Sequence, residues 1–163
     1  PPRGEAATED KAMKRFNYIA YGSNMDTARM LARCPGARPV GAATLPGFRL
    51  VERLYADVEP SAGCEARGLL WSVTEADLAS LDRHEGVAGG VYERLVVPVT
   101  LGGQTVGAYC YLMTEATRRV RDGIAYPRWY DAICRRGALA HRVGGFFGRI
   151  PKKRREITRK PEE

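Results

Sequence analysis

Histidine is scarce in this chain of 163 residues: only His84 and His141 are present. The four cysteines, Cys34, Cys64, Cys110 and Cys134, stand far apart with no Cys-x-x-Cys pair among them. A structural zinc site draws its four ligands from closely paired spacings, so this inventory speaks against one. Residues Pro1 to Arg15 contain no apolar core of the kind a secretory signal needs, which leaves reduced thiols and the cytoplasm as the expected setting. Long apolar runs are missing too. None approaches the roughly 18 residues of a membrane-spanning helix, so no membrane association is expected. There is no Gly-x-Ser-x-Gly elbow, and Ser23 has no obvious histidine partner, which removes the common serine hydrolases. Neither a phosphate loop of the GxxxxGK[ST] type nor a GxGxxG dinucleotide fingerprint occurs.

What is present is the composition of an ordinary globular domain, 44% hydrophobic and 28% charged, long enough to build a core unaided. The net charge of +7 is unevenly placed. From Arg149 onward seven basic residues face three glutamates, so +4 of that charge lies in the last fifteen residues. A solvated basic tail explains this better than a nucleic-acid-binding face does. The expected organisation is a flexible segment over 1–15, one folded domain over 16–148 and a disordered tail over 149–163.

Periodicity and punctuation predict the elements. Phe16–Tyr21 reads as a buried strand that stops at Gly22-Ser23-Asn24, after which Asp26 caps a short helix to Arg33. Strands are expected at 37–45 and 48–55, separated by Pro46-Gly47, then a loop over 57–65 and a strand over 66–73. Thr74 and Asp77 form a capping-box pattern ahead of a helix that stops at Gly86. Strands at 91–100 and 104–113 flank Gly102-Gly103, a hairpin signature. Pro127 opens a last helix that runs to about His141. Three helices among many strands, without βαβ alternation, predict an α+β fold with a mainly antiparallel sheet or barrel.

Three groups of residues could carry chemistry. Tyr21-Gly22-Ser23-Asn24-Met25 links a strand end to a helix start and would offer backbone N–H groups to a carboxylate or oxyanion. A plain tight turn would use the same residues. Glu85 ends a helix just before Gly86, where the negative end of the helix dipole would raise its pKa and suit it to proton transfer. His84, its neighbour, points elsewhere and reads as surface. Tyr92, Tyr109, Tyr111 and Tyr130 could line a pocket with hydroxyls, Tyr109 and Tyr111 sharing one strand face.

Taken in order, these pieces resemble the γ-glutamylcyclotransferase family, which includes plant avirulence-induced-gene-like proteins. The resemblance rests on Tyr-Gly-Ser-Asn at 21–24 and Leu-Asp-Arg-His-Glu-Gly-Val-Ala-Gly-Gly-Val-Tyr at 81–92. It continues with Tyr-Leu-Met-Thr at 111–114 and Pro-Arg-Trp-Tyr, Ile-Cys and Gly-Ala within 127–138. It implies a compact β-barrel with peripheral helices, Glu85 as the catalytic carboxylate and a substrate-anchoring loop at 21–25. Tyr92, Tyr111 and Tyr130 match cavity positions. At Arg128 and Trp129 the chain departs from the small residues the family often has there. The activity implied is cyclisation of a small γ-glutamyl substrate to 5-oxoproline, without metal or cofactor, by a homodimer within glutathione-related metabolism. A pathway-dedicated enzyme for a larger γ-glutamyl metabolite is the alternative; a binding module of the same fold is another, though it would have no need of Glu85.

Overall fold

The first strand, β1 (Arg15–Ala20), places Ile19 and Ala20 in the core and pairs antiparallel with the far end of β3 (Tyr55–Thr74), from Arg15↔Thr74 to Ala20↔Leu69. The computed structural model describes residues 13–144. The expectations for residues 1–12 and for the basic tail lie outside the described residues. Arg15 is already structured: it donates to the Ser72 hydroxyl at 2.7 Å and to the Gly36 carbonyl at 2.6 Å.

β2 (Arg38–Arg53) and β3 form one long hairpin. Here the structure corrects three boundaries read from sequence. Pro46-Gly47 does not separate two strands; Gly47, at φ 78°, is a bulge inside β2 where the ladder passes from Pro46↔Glu65 to Phe48↔Pro60. Residues 57–65 are not a loop but part of β3, with Ser61–Cys64 skipped by that register jump. The reversal falls instead at Leu54, a non-glycine residue at φ 63°, between the paired residues Arg53 and Tyr55. Its N–H donates to the Ile124 carbonyl at 2.7 Å, which holds a backbone conformation that leucine rarely adopts.

β4 (Tyr92–Leu101) and β5 (Gln104–Met113) pair across Gly102 and Gly103, both at positive φ, as a two-residue hairpin turn requires. The five strands close into a ring in the order β1-β3-β2-β4-β5, antiparallel except for the β1–β5 contact at Tyr18↔Tyr109. The α+β expectation holds.

Among the described residues four α-helices surround the ring: α1 (Thr27–Arg33), α2 (Glu75–His84), α3 (Glu115–Arg121) and α4 (Arg128–Ala140). None is long and apolar enough to cross a membrane. α2 carries the full capping box, Thr74 Oγ1 accepting from Asp77 N–H at 3.2 Å and Asp77 accepting from Thr74 N–H at 3.0 Å. α3 was not expected from the sequence. It buries no residue, so it lacks the apolar stripe that announces a helix. Its role is to carry arginines: Arg118 reaches Asp57 of β3, an aspartate with no exposed surface that Arg53 also pairs at 2.7 Å. All four cysteines are free thiols.

Candidate active site

The residues before α1 are held from three sides. Trp71, fully buried on β3, donates its indole N–H to the Asn24 carbonyl at 3.1 Å. The Asn24 amide donates to the Tyr18 hydroxyl at 3.1 Å and accepts from Arg33 at 3.1 Å, so this side chain serves as a strut. Behind the loop, Asp26 caps α1 and pairs with Arg136 of α4 at 2.7 Å. Gly137 lets α4 press against the loop backbone: a Cβ there would sit 2.3 Å from the Met25 carbonyl carbon. Met25 is consequently buried beneath the loop, in the core, and does not line the cavity described next.

That cavity, of about 380 Å³, opens between the loop, the end of α2, the Leu54 reversal and the start of α4. It gathers Tyr21, Gly22, Ser23, Asn24, Glu85, Tyr92, Tyr111 and Tyr130 from four separate stretches of sequence. Gly22 fits only as glycine, because a Cβ would meet the Tyr130 hydroxyl at 2.7 Å and Ala56 Cβ at 3.0 Å. The Tyr130 hydroxyl is fixed there by the Ala56 N–H at 3.1 Å, and the Tyr92 hydroxyl donates to the Ala56 carbonyl at 2.9 Å. Tyr21 donates to the Tyr111 carbonyl, and the Tyr111 hydroxyl donates to Asp82 at 2.7 Å. Burial holds the phenols of Tyr21, Tyr92, Tyr111 and Tyr130 well above the ordinary tyrosine value, so they stay protonated. Tyr109 does not reach the cavity; its ring packs on Phe16 and lies 4.8 Å beneath the Arg94 guanidinium.

Glu85 is the one carboxylate among the lining residues. It follows the fully buried Leu81 by one helical turn, its N–H bonding the Leu81 carbonyl at 2.8 Å, so both residues face inward. Gly86, at φ 65°, then ends the helix. Part of Glu85 stays open to the cavity, yet protein atoms crowd its carboxyl and withdraw water. Burial pushes its pKa from 4.5 up to about 7, against the opposing pull of Arg33 and then Arg29. Sequence reasoning assigned the rise to the helix dipole; desolvation is the larger cause. His84 is exposed but, contrary to the surface reading, also lines the cavity beside Glu85, and its Nδ1 bonds the Ser80 carbonyl at 2.8 Å.

The sequence reading did not place Tyr18, Arg29, Arg33, Tyr55 or Arg121 in the site, and all five line it. Arg29 and Arg33 were recoverable, being one turn apart on a short helix that starts at the loop. Tyr55 was not, because nothing in the local composition marks a reversal at Leu54.

A closed strand ring beside a concave cavity lined by tyrosines, Gly22, Ser23, Asn24 and the carboxylate of Glu85 is the build of a small-molecule site. The profile of a family described as "Gamma-glutamyl cyclotransferase, AIG2-like" matches residues 18–131. The chain is 36% identical to the Gamma-glutamylcyclotransferase of Mus musculus and 35% identical to that of Homo sapiens. Each match covers 73% of this chain and 68% of the relative. A solved structure named Gamma-glutamyl cyclotransferase superposes with a TM-score of 0.66 at 29% identity, covering 78% of this chain and 80% of that one. The chain belongs to the γ-glutamyl cyclotransferase, AIG2-like family.

Proposed function

We propose that the protein is a γ-glutamylcyclotransferase that converts a small γ-glutamyl compound into 5-oxoproline and a free amine, with Glu85 carrying the protons. The observation that carries this reading is the position of Glu85 as the one carboxylate among the residues lining the tyrosine-walled cavity, where burial pushes its pKa up to about 7. A group with that pKa is both a competent base and a competent acid near neutral pH. Glu85 takes a proton from the α-ammonium, and the amine nitrogen attacks the γ-carbonyl carbon. As the tetrahedral intermediate collapses, the bond to the leaving nitrogen breaks and Glu85 returns a proton to that nitrogen. The net reaction moves two protons from the ammonium to the leaving amine, and one carboxylate can carry them in turn.

Both reacting groups sit on one molecule, so most of the work is holding the folded-back rotamer; such orientation is worth effective molarities of about 10⁵–10⁸ M. Backbone N–H groups at Gly22–Asn24 are assigned to the substrate carboxylate or the developing oxyanion. The protonated phenols of Tyr92, Tyr111 and Tyr130 shape the remaining wall. Free thiols throughout fit a cytoplasmic setting. The expected homodimer is tested by light scattering on the purified full chain.

A second reading, a dedicated enzyme for a larger γ-glutamyl metabolite, is favoured by Trp129, 51% exposed at the cavity mouth and able to stack on a bulky leaving group. The deciding experiment measures 5-oxoproline and free amine, by mass spectrometry, from a panel of γ-glutamyl amino acids, γ-glutamylamines and glutathione. Equimolar release of both products is expected from at least one of them. Absence of 5-oxoproline from the whole panel would rule out the small-substrate reading.

A further inference from the structure

Tyr18 of β1 is buried, lines the cavity and has no part in the chemistry proposed so far. Its hydroxyl oxygen accepts from the Asn24 amide nitrogen at 3.1 Å, and the Asn24 side-chain oxygen in turn accepts from the Arg33 guanidinium at 3.1 Å. The chain of hydrogen bonds thus runs one way, from a cation through a polarised amide to a phenol, and each bond strengthens the next. A hydroxyl that accepts in this manner keeps its own proton to give, and no acceptor for that proton is present among the described residues. The other tyrosines differ. Tyr21, Tyr92 and Tyr111 spend their protons on the Tyr111 carbonyl, the Ala56 carbonyl and Asp82. Tyr130 accepts from the Ala56 N–H but hydrogen-bonds the Cys134 sulfur as well. Burial, and then the neighbouring Glu85 carboxylate, hold the Tyr18 phenol well above the ordinary tyrosine value, so it donates without ionising.

We infer that Tyr18 is a further catalytic residue, whose hydroxyl donates to the oxyanion that develops on the γ-carbonyl oxygen. The inference deepens the proposed function and rests on it. Ring closure puts the negative charge on the oxygen of the carbon that the amine attacks, beside the carboxyl that has just taken the amine's proton. A donor for that charge must stand close to Glu85, and Tyr18 shares the cavity wall with it. Glu85 is protonated at this stage and no longer repels the new charge. The Tyr18 ring packs edge-on against Tyr111 with 5.8 Å between centroids, and the Asn24 bond fixes its oxygen. A donor oriented in advance needs no rearrangement when the charge appears, which is where such groups gain their effect. The loop N–H groups at Gly22–Asn24 are then left to the substrate carboxylate, so that separate donors read the two anionic groups.

The test measures single-turnover formation of 5-oxoproline from γ-glutamylalanine by wild type and Tyr18→Phe. Loss of one oxyanion donor should slow that step by about 10²- to 10³-fold. Binding of γ-glutamylalanine, measured by calorimetry on Glu85→Gln with and without Tyr18→Phe, should stay within a few-fold, because the bond is made only as the charge develops. The acid limb of kcat/KM in Tyr18→Phe should stay near 7, since Glu85 itself is untouched. A rate near that of wild type would overturn the assignment. So would a loss of affinity that matches the loss of rate, which marks a displaced loop, or an acid limb moved upward, which marks a phenol that supports Glu85 instead. Circular dichroism checks the fold. If Tyr18→Phe does not fold, Tyr18→fluorotyrosine carries the test: its more acidic hydroxyl should raise the single-turnover rate a few-fold, and an unchanged or lower rate would overturn the assignment. Failure of wild type to form 5-oxoproline from γ-glutamylalanine would instead strike the proposed function, and this inference with it.

Discussion

Replacing Glu85 by Gln should do more than stop turnover; it should stabilise the protein, and by an amount that depends on pH. In the folded chain the Glu85 carboxyl is pushed from 4.5 to about 7, mainly by burial. Between those values the folded state holds a proton that the unfolded state has released. Stability therefore falls as pH rises through that window and is level on either side of it. At about 1.36 kcal/mol per pH unit, the full cost of ionising Glu85 in place is about 3 kcal/mol, an upper figure because part of the group still meets cavity water. The linkage places about 1 kcal/mol of it at pH 5 and nearly all of it at pH 8. A glutamine of the same shape never ionises and escapes the cost. Urea denaturation of both proteins across this range isolates the effect, since every other titrating group is common to the two. The gap in unfolding free energy between Glu85→Gln and wild type should widen toward alkaline pH by about 2 kcal/mol. A gap that is constant with pH, or a wild type that gains on the variant at pH 8, would refute the claim that Glu85 is held in a desolvated site.

Three further outcomes follow from the geometry. Wild-type kcat/KM should fall as pH drops through about 7, because protonated Glu85 cannot accept the ammonium proton; a flat profile there would count against it. Gly22→Ala drives a Cβ toward the pinned Tyr130 hydroxyl, so it should cost about 1–3 kcal/mol in urea denaturation and displace the loop enough to cut turnover about tenfold or more. Asp57→Ala, which strips the buried partner of Arg53 and Arg118, should cost about 3–5 kcal/mol; a loss below about 1 kcal/mol would show that the network is not structural.

Elements with local chemical punctuation were legible in the sequence. The Thr74–Asp77 capping box, the Asp26 cap and the Gly102-Gly103 turn each appear where the residues require them. Two stretches that line the cavity, Gly22 to Asn24 before α1 and Glu85 at the end of α2, stand beside such signals. Long-range constraints were not legible. Leu54 turns the chain because Ile124, seventy residues away, accepts its N–H, and no turn residue stands there to announce it. Tyr55 and Ala56 therefore escaped notice, although Ala56 anchors both Tyr92 and Tyr130. Met25 was assigned to the loop by adjacency, whereas the close approach of Gly137 shows why it lies underneath. The cause of the Glu85 shift was misassigned because burial is a tertiary property.

The most direct test of Glu85 as the proton carrier pairs two readouts on the folded Glu85→Gln protein. Binding of a γ-glutamyl substrate is measured by calorimetry, and single-turnover formation of 5-oxoproline by mass spectrometry. Binding within a few-fold of wild type is expected, with lactam formation slowed by about 10²- to 10⁴-fold. Near-normal 5-oxoproline formation by that variant would contradict the assignment.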